Sequence, residues 1–416
     1  MINVLHCSYS DCIGGAAKAS LRIHDSLVRH ESTQINSRVR VAIKHLPDKT
    51  IMGHNLPFGN SWGKVRSSTG AFLTKVLCRP VKNYISPCFL PSIIDHELNC
   101  RDVDIIHLHW INGEMMSVEA ISRINKPIVW TMHDVWPFSG AQHHFSEVEY
   151  GDPDIAYDRT FTSEGLNANA FTWHRKRHHW SAKEFFLVSP SKWMAKLAMR
   201  SSLFQNSTIR TICNPLPDSA FISLSKTYAR SQLCIPTDGF IVFLCAHGIF
   251  SDPNKGLNHF LDCLNHLVID SSKLLVFVAG EFPIQTLNIH GFKIVCLGVI
   301  DDPSYLHIHY AASDIVVVPS EYENYPQVAC EAHAAGRPVV AFRTTGCAEI
   351  IVHRETGYLA EPLDTVDLAR GIEYCLQSLS MMEYMSSKAY ARAELLWRGQ
   401  SVAGNYRRLY RNIIGA

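Results

Sequence analysis

No apolar run in this chain approaches the roughly 18 residues that a membrane-spanning helix needs. The opening residues, Met1-Ile2-Asn3-Val4-Leu5-His6, carry neither a basic segment nor a signal-like apolar core. Cysteine occurs 13 times, yet no two are spaced as Cys-x-x-Cys and the count is odd. That argues against a zinc site or a disulfide framework and fits a reducing cytosol. Neither sign of charge dominates, with Lys+Arg 39, Asp+Glu 38 and a net charge of +1. A general nucleic-acid binder needs a broad basic field, so no nucleic-acid partner is expected. Solenoid repeats, low-complexity tracts and the G-x-G-x-x-G dinucleotide fingerprint are all missing. The expectation is a cytoplasmic protein, in solution or peripheral on the inner face of the cytoplasmic membrane.

At 416 residues with 47% hydrophobic and 19% charged content, the chain is globular and too long for one ordinary core. Short apolar strands alternate with helical patterns twice. In the first half Ile2–His6, Val39 to Ile43, Asp104–Leu108, Ile128–Thr131, Phe186–Val188 and Ile209–Cys213 read as strands, with a helix from about Ala16 to Arg29. Residues 50–100 show only weak periodicity broken by Gly, Pro and Ser, and no element is assigned there. Asn214-Pro215-Leu216-Pro217-Asp218 reads as a boundary, since two prolines in three residues continue neither a helix nor a central strand. After it, Ile241–Cys245, Leu274–Ala279, Ile294–Leu297, Ile315–Val318 and Val339–Ala341 form a second strand series. Such alternation implies α/β architecture, two Rossmann-like doubly wound sheets facing a cleft, with ligands at the carboxyl ends of the strands. The expected division is 1–213, 214–395 and a last helical stretch, 396–416, within a helical pattern that runs from Tyr390 to Ile413.

The segment Glu323-Asn324-Tyr325-Pro326-Gln327-Val328-Ala329-Cys330-Glu331 carries the most chemistry. It follows the strand Ile315–Val318 and opens a helix that Gly336 should stop. Pro326 suits the first helical turn, where a missing N–H costs nothing. Glu323 then lies ahead of the helix, Glu331 about one and a half turns into it, and the amides of Gln327 and Val328 point at the same space. That is an anion site flanked by hydroxyl-binding carboxylates, and a nucleotide sugar offers diphosphate and hydroxyls in that order. A pair of solvated glutamates at a helix start is the bland alternative.

In these residues the chain resembles family-4 glycosyltransferases, the retaining GT-B enzymes with a Glu–seven residues–Glu motif. Asp314 to Ser320, Glu331-Ala332, Gly336 to Ala341, Gly346 to Ile351 and Gly357-Tyr358-Leu359 follow that family's C-terminal core in order. Ile128 to Phe138 resembles the His-Asp-x-Trp-Pro-Phe segment of its polysaccharide-assembly members, and so does Ile106-His107-Leu108-His109-Trp110. The resemblance implies transfer of a hexosyl unit, with retention, from a nucleoside-diphosphate sugar to a glycan acceptor, in exopolysaccharide, capsule or O-antigen assembly. That acceptor is expected to be lipid-linked. It implies His133, Glu323 and Lys255 as catalytic residues. Gly14, Gly15, Asn254, Lys255, Tyr325, Pro326, Gln327, Val328 and Glu331 are the expected donor-binding set. His109, Asp134 and Trp136 are acceptor-side candidates. Asn254 departs from the family, which often has arginine there. No cofactor and no metal are implied, because such enzymes neutralise diphosphate with helix ends and basic side chains. The last helix is expected to cross back to the first domain. A sugar-nucleotide epimerase of the same fold and a non-catalytic scaffold remain open readings.

One basic-aromatic run, Trp173 to Trp180, supports two readings: contact with an anionic membrane, or a solvated helix face.

Overall fold

The structure is a computed structural model that describes residues 1–54, 59–81, 84–144, 161–162 and 165–415. The chain divides into two compact units, Met1–Pro215 with Val402–Ala416, and Leu216–Ser401.

The first unit is built on β1 (Ile2–Ser10), β2 (Ile35–Ile43), β3 (Ile51–Met52), β4 (Ile105–Leu108), β5 (Ile128–Thr131), a ribbon of β6 (Phe161–Thr162) and β7 (Gly165–Leu166), then β8 (Phe186–Ser189) and β9 (Thr208–Thr211). Its main sheet has the order β3-β2-β1-β4-β5-β8-β9, with every pair parallel. Helices α1 (Gly14–His30), α2 (Gly59–Leu77), α3 (Ile94–Cys100), α4 (Val118–Ser122), α5 (Ala168–Trp180) and α6 (Lys192–Arg200) connect the strands. The central strands β4 and β5 are buried throughout, as a sheet covered on both faces requires.

In the second unit, α7 (Lys226–Gln232) precedes β10 (Phe240–Cys245), α8 (Leu257–Cys263), β11 (Leu274–Ala279), β12 (Gln285–Ile289), β13 (Phe292–Gly298) and α9 (Pro303–Ala312). There follow β14 (Ile315–Val318), α10 (Gln327–Ala334), β15 (Val339–Phe342), α11 (Cys347–Ile350), β16 (Gly357–Ala360), α12 (Thr365–Leu376) and α13 (Leu379–Trp397); α14 spans Gly399–Ile414. The sheet order is β12-β13-β11-β10-β14-β15-β16, with only β12 antiparallel. Val242, Leu244, Val276, Ile315 and Val317 pack with Leu368 and Ile372 of α12 in its core.

Both sheets reverse their direction of growth at one place, between β1 and β4 in the first and between β10 and β14 in the second. A doubly wound sheet opens a crevice at the carboxyl ends of such strands. The unassigned region 50–100 holds two helices, α2 and α3. Helix α2 escapes periodicity because its buried residues are Gly59, Gly63 and Gly70. The expected single helix from Tyr390 to Ile413 is broken at Arg398, whose backbone is extended. Trp397 packs with Tyr325 and His333, whereas Tyr406, Leu409 and Tyr410 join the core of the first unit.

Candidate functional site

In the second unit the loops after β10 and β14 bring the expected residues together. Asp252 caps the short turn Pro253–Lys255 by accepting from the Asn254 amide at 3.0 Å. Gly256 follows with φ +70, and a Cβ there would lie 1.9 Å from the Pro319 carbonyl oxygen, so only glycine lets this loop approach the end of β14. The close approach sets Lys255 Nζ 2.8 Å from Glu323 Oε1. Both side chains are mostly buried, and the Glu323 carboxylate holds the Lys255 ammonium above the usual lysine range.

Glu323 is fixed from behind. Its amide donates to Thr345 Oγ1 at 3.0 Å, and its carbonyl accepts from the Thr345 hydroxyl at 2.7 Å and the Gly346 amide at 2.8 Å. Pro326 stands one position ahead of α10, as its N-cap, rather than within the first turn. The Val328 amide lies in that first turn, beyond the reach of any carbonyl of its own helix. Glu331 is half-buried, and its Oε2 accepts from the Tyr310 hydroxyl at 3.1 Å. A cation, a clamped carboxylate, a helix start and a second carboxylate thus line one edge, an arrangement that suits an anion with hydroxyls on either side.

Two expected donor residues do not fit. The Asn254 side chain donates to the Tyr322 carbonyl at 2.9 Å and serves as a strut between the two loops. Tyr325 is buried, and its hydroxyl accepts from Trp397 Nε1 at 2.7 Å, so the side chain is a core element.

In the first unit Gly14 (φ +84) and Gly15 open α1. A Cβ on either would meet nothing within 4 Å, and no described side chain caps the helix. A line of histidines runs through the sheet of the same unit toward its carboxyl end. His6 Nδ1 lies 2.9 Å from His109 Nε2, and His109 Nδ1 lies 3.1 Å from His133 Nε2. Burial holds His6 and His109 well below the ordinary imidazole range and lowers His133 to about 4, so all three are neutral at pH 7. A neutral ring has one N–H, so His109 donates on one side and accepts on the other. The tautomers of His6 and His133 are thereby linked. His107 stacks on His109 at 4.3 Å between ring centres and bonds to the Tyr410 hydroxyl at 2.7 Å and Thr131 Oγ1 at 2.8 Å.

Ring nitrogens of His6, His107 and His109 lie within 4.8 Å of one another. Both His107 nitrogens and both His109 nitrogens are engaged in hydrogen bonds, and of these three rings it is His6 whose Nε2 is buried with no hydrogen-bond partner among the described residues. A second group, Asp11, Cys12 and His45, has its carboxylate occupied by the amides of His45 and Leu46.

Of the acceptor-side candidates, Asp134 is partly exposed, as is the catalytic candidate His133, but His109 and Trp136 are buried. His109 supports His133 from beneath. Trp136 donates its indole N–H to the Ser86 carbonyl at 2.8 Å inside the core. Asp134 pairs with His143 at 2.6 Å and accepts from Trp110 Nε1 and the Trp136 amide. Burial would raise its pKa, yet the His143 imidazole beside it holds the carboxyl below the usual range. His143 also meets Ser86 Oγ at 2.8 Å. Ser86, with Lys75, Arg79 and Tyr84, lines a pocket of about 630 Å³ beside α2. Sequence reasoning missed the Asp134–His143 pair and this pocket. The available signal was a carboxylate at a strand end nine positions before a histidine.

The run Trp173 to Trp180 does not present the surface expected for membrane contact, since only His174, Arg177 and His178 are exposed. Trp173 and Trp180 are buried, and Trp180 donates to the Val118 carbonyl at 2.9 Å. Arg175 pairs with Glu119 at 2.7 Å and donates to the carbonyls of Pro87 and Cys88. Lys176 is fully buried, with its ammonium on the carbonyls of Trp136, Ser139 and Gly140 and 3.5 Å from the Trp136 ring centre. The amphipathic pattern expected of a lipid-facing helix is spent on internal packing.

Residues 241–378 match the family described as Glycosyl transferases group 1. That segment holds Asn254, Lys255, Glu323 and Glu331. The chain is 26% identical over 65% of its length to a D-inositol 3-phosphate glycosyltransferase of Acidothermus cellulolyticus, covering 58% of that protein. It is 30% identical over 35% of its length to the lipopolysaccharide 1,2-N-acetylglucosaminetransferase of Salmonella typhimurium, covering 42% of it. The chain spans between a quarter and three-fifths of the length of the first curated glycosyltransferases it matches. Anabaena HepE, solved with UDP and glucose, superposes with a TM-score of 0.66 at 17% identity, over 99% of this chain and 100% of that one. Two Rossmann-like α/β sheets of this kind are the fold of GT-B glycosyltransferases.

Proposed function

We propose that the protein is a retaining glycosyltransferase that moves a hexosyl unit from a nucleoside-diphosphate sugar to a hydroxyl of a glycan. The acceptor is lipid-linked, at the inner face of the cytoplasmic membrane, in exopolysaccharide, capsule or O-antigen assembly. The observation that carries the reading is the Lys255–Glu323 pair at the start of α10, with Glu331 on the same helix, inside the segment that matches group 1 glycosyltransferases.

In this reading Glu331 binds ribose hydroxyls. Lys255 and the first turn of α10 meet the diphosphate. Glu323 turns from Lys255 to the sugar hydroxyls as the phosphate takes over the ammonium. Lys255 then acts on the negative charge that grows as the bond from the anomeric carbon to the phosphate oxygen breaks. The acceptor oxygen bonds to the same face of that carbon, and its proton passes to the departing phosphate. In the first unit His133, held in one tautomer by His109, is the proposed acceptor-side catalytic group. No metal or cofactor takes part.

The test is incubation with a panel of nucleotide sugars and extracted lipid acceptors, with NMR of the product's anomeric configuration. Transfer with retention is expected. Turnover of nucleotide sugar without an acceptor would replace this reading with an epimerase, and absence of donor binding would replace it with a scaffold.

A further inference from the structure

Helix α2 is packed inside out. Its buried residues are glycines, and a Cβ on Gly70 would sit 2.3 Å from Glu114 Cγ, so the helix lies close against the Gly113–Glu114 loop. The bulky side chains point the other way: Trp62 is 47% exposed, Val65 53%, Phe72 64% and Val76 60%. At about 100° per residue, Trp62, Val65, Thr69, Phe72 and Val76 fall within roughly 80° of arc, one continuous stripe. Singly exposed apolar residues are ordinary, but a stripe of this length marks an interaction surface.

The charge on α2 selects the partner. Residues 59–77 contain Lys64, Arg66 and Lys75 and no Asp or Glu. Arg66 is used internally, donating to the carbonyls of Glu114 at 3.0 Å and Pro91 at 2.9 Å. Lys64 and Lys75 are exposed and lie together on one flank of the stripe. A second copy of α2 would set like charges against each other, with no acid on the helix to match them. An anionic surface matches them directly. Val81 and Tyr84 are also exposed, but they line a separate pocket with Ser67, Gly70 and Thr74 on the other side of the helix. Among the described residues no helix is long and apolar enough to cross a membrane, so α2 can lie on a bilayer without spanning it.

We propose that the outer face of α2 seats on an anionic lipid bilayer. Trp62, Val65, Phe72 and Val76 enter the boundary between headgroups and acyl chains, and Lys64 and Lys75 meet lipid phosphates. The inference deepens the reading of a lipid-linked acceptor and rests on it for what the membrane delivers.

The experiment is sedimentation of the full chain with vesicles of phosphatidylglycerol and phosphatidylethanolamine, beside vesicles of phosphatidylcholine alone. The wild type should bind the anionic vesicles more tightly than the neutral ones, and less so as salt is raised. Lys64→Gln with Lys75→Gln should weaken binding about fivefold per lysine, and Trp62→Ser with Phe72→Ser should weaken it at least about tenfold. Equal binding by wild type and both variants, or no binding by the wild type, overturns the proposal. A dimer seen by light scattering and broken by the serine pair, without vesicle binding, also overturns it and assigns the stripe to self-association. The lysine pair lies fully on the surface and keeps the test decisive if the serine variant misfolds. Nucleotide-sugar turnover on a short soluble acceptor is read in parallel. Turnover without vesicle binding sinks the surface alone, and vesicle binding without turnover upholds the surface while the transferase reading fails.

Discussion

Replacing Glu331 probes the donor site most directly. A carboxylate offers about four lone-pair positions on two oxygens, and the Tyr310 hydroxyl uses one of them, on Oε2. In the proposed complex the same carboxylate also accepts from ribose hydroxyls. Hydrogen bonds to a charged acceptor are worth about 1.5–3 kcal/mol. At about 1.4 kcal/mol per tenfold, Glu331→Ala should raise the Kd for a nucleoside diphosphate by roughly 10- to 150-fold. Glu331→Gln keeps an acceptor for Tyr310 and one for ribose but loses the charge, and should fall between wild type and the alanine variant. Isothermal calorimetry with UDP, alongside Tm by scanning calorimetry, reads both quantities. If the alanine variant binds UDP as wild type does and keeps its Tm, Glu331 is not a ribose ligand. If both variants lose Tm and binding together, the Tyr310 bond is a strut and the affinity argument fails.

Three further outcomes follow from the geometry. Gly256→Ala should cost about 2–5 kcal/mol, from left-handed strain and the overlap with the Pro319 carbonyl, and lower Tm by at least about 4 °C; an unchanged Tm would mean that the loop after β10 relaxes freely. Lys176→Met should destabilise the first unit by about 1–3 kcal/mol, because three buried carbonyls lose their donor, while anionic-vesicle binding stays the same; the reverse pattern would restore the α5 run as the membrane surface. Burial depresses His6, His107 and His109 well below the ordinary range, His24 and His133 to about 4 and His333 to about 3. The unfolded chain therefore binds protons that the folded one refuses. Their stabilisation is full above about pH 6.5 and falls by up to about 1.4 kcal/mol per histidine per pH unit as pH drops toward the folded values; a flat Tm between pH 7 and 5 would contradict neutral burial.

Five strands of the second sheet were legible because they obey one rule, whereas the half-exposed antiparallel edge strand β12 and the last strand, β16, were not read. Leu274–Ala279 and Ile315–Val318 are near-continuous apolar runs, as strands covered on both faces must be, and they appear with the bounds read from the chain. The proximity of Lys255 and Glu323 was legible too, because each sits in a loop that leaves such a strand. Asn254 and Tyr325 were misread since sequence position places a backbone, whereas their side chains turn toward Tyr322 and Trp397. Those partners are respectively 68 and 72 positions away. Helix α2 was invisible for the opposite reason. Periodicity assumes that large apolar residues face inward, and here glycine does.

The first unit's site was only half legible because its polar residues lie on strands that the same rule expects to be apolar. His6 on β1, His107 on β4 and Thr131 on β5 are fully buried in the middle of a parallel sheet. Read in isolation, each histidine suggests a ligand or a catalyst. Hydrogen bonding resolves the conflict, because Tyr406 and Tyr410, close to 300 positions downstream, supply hydroxyls at 3.1 Å to Thr131 and 2.7 Å to His107. No local pattern could announce that pairing. Its physical effect is to make the floor under His133 stiff, since a satisfied buried network holds its members in one arrangement. His109 passes that constraint upward, and the partly exposed imidazole of His133 is the point where the internal chain meets whatever binds at the carboxyl end of the sheet.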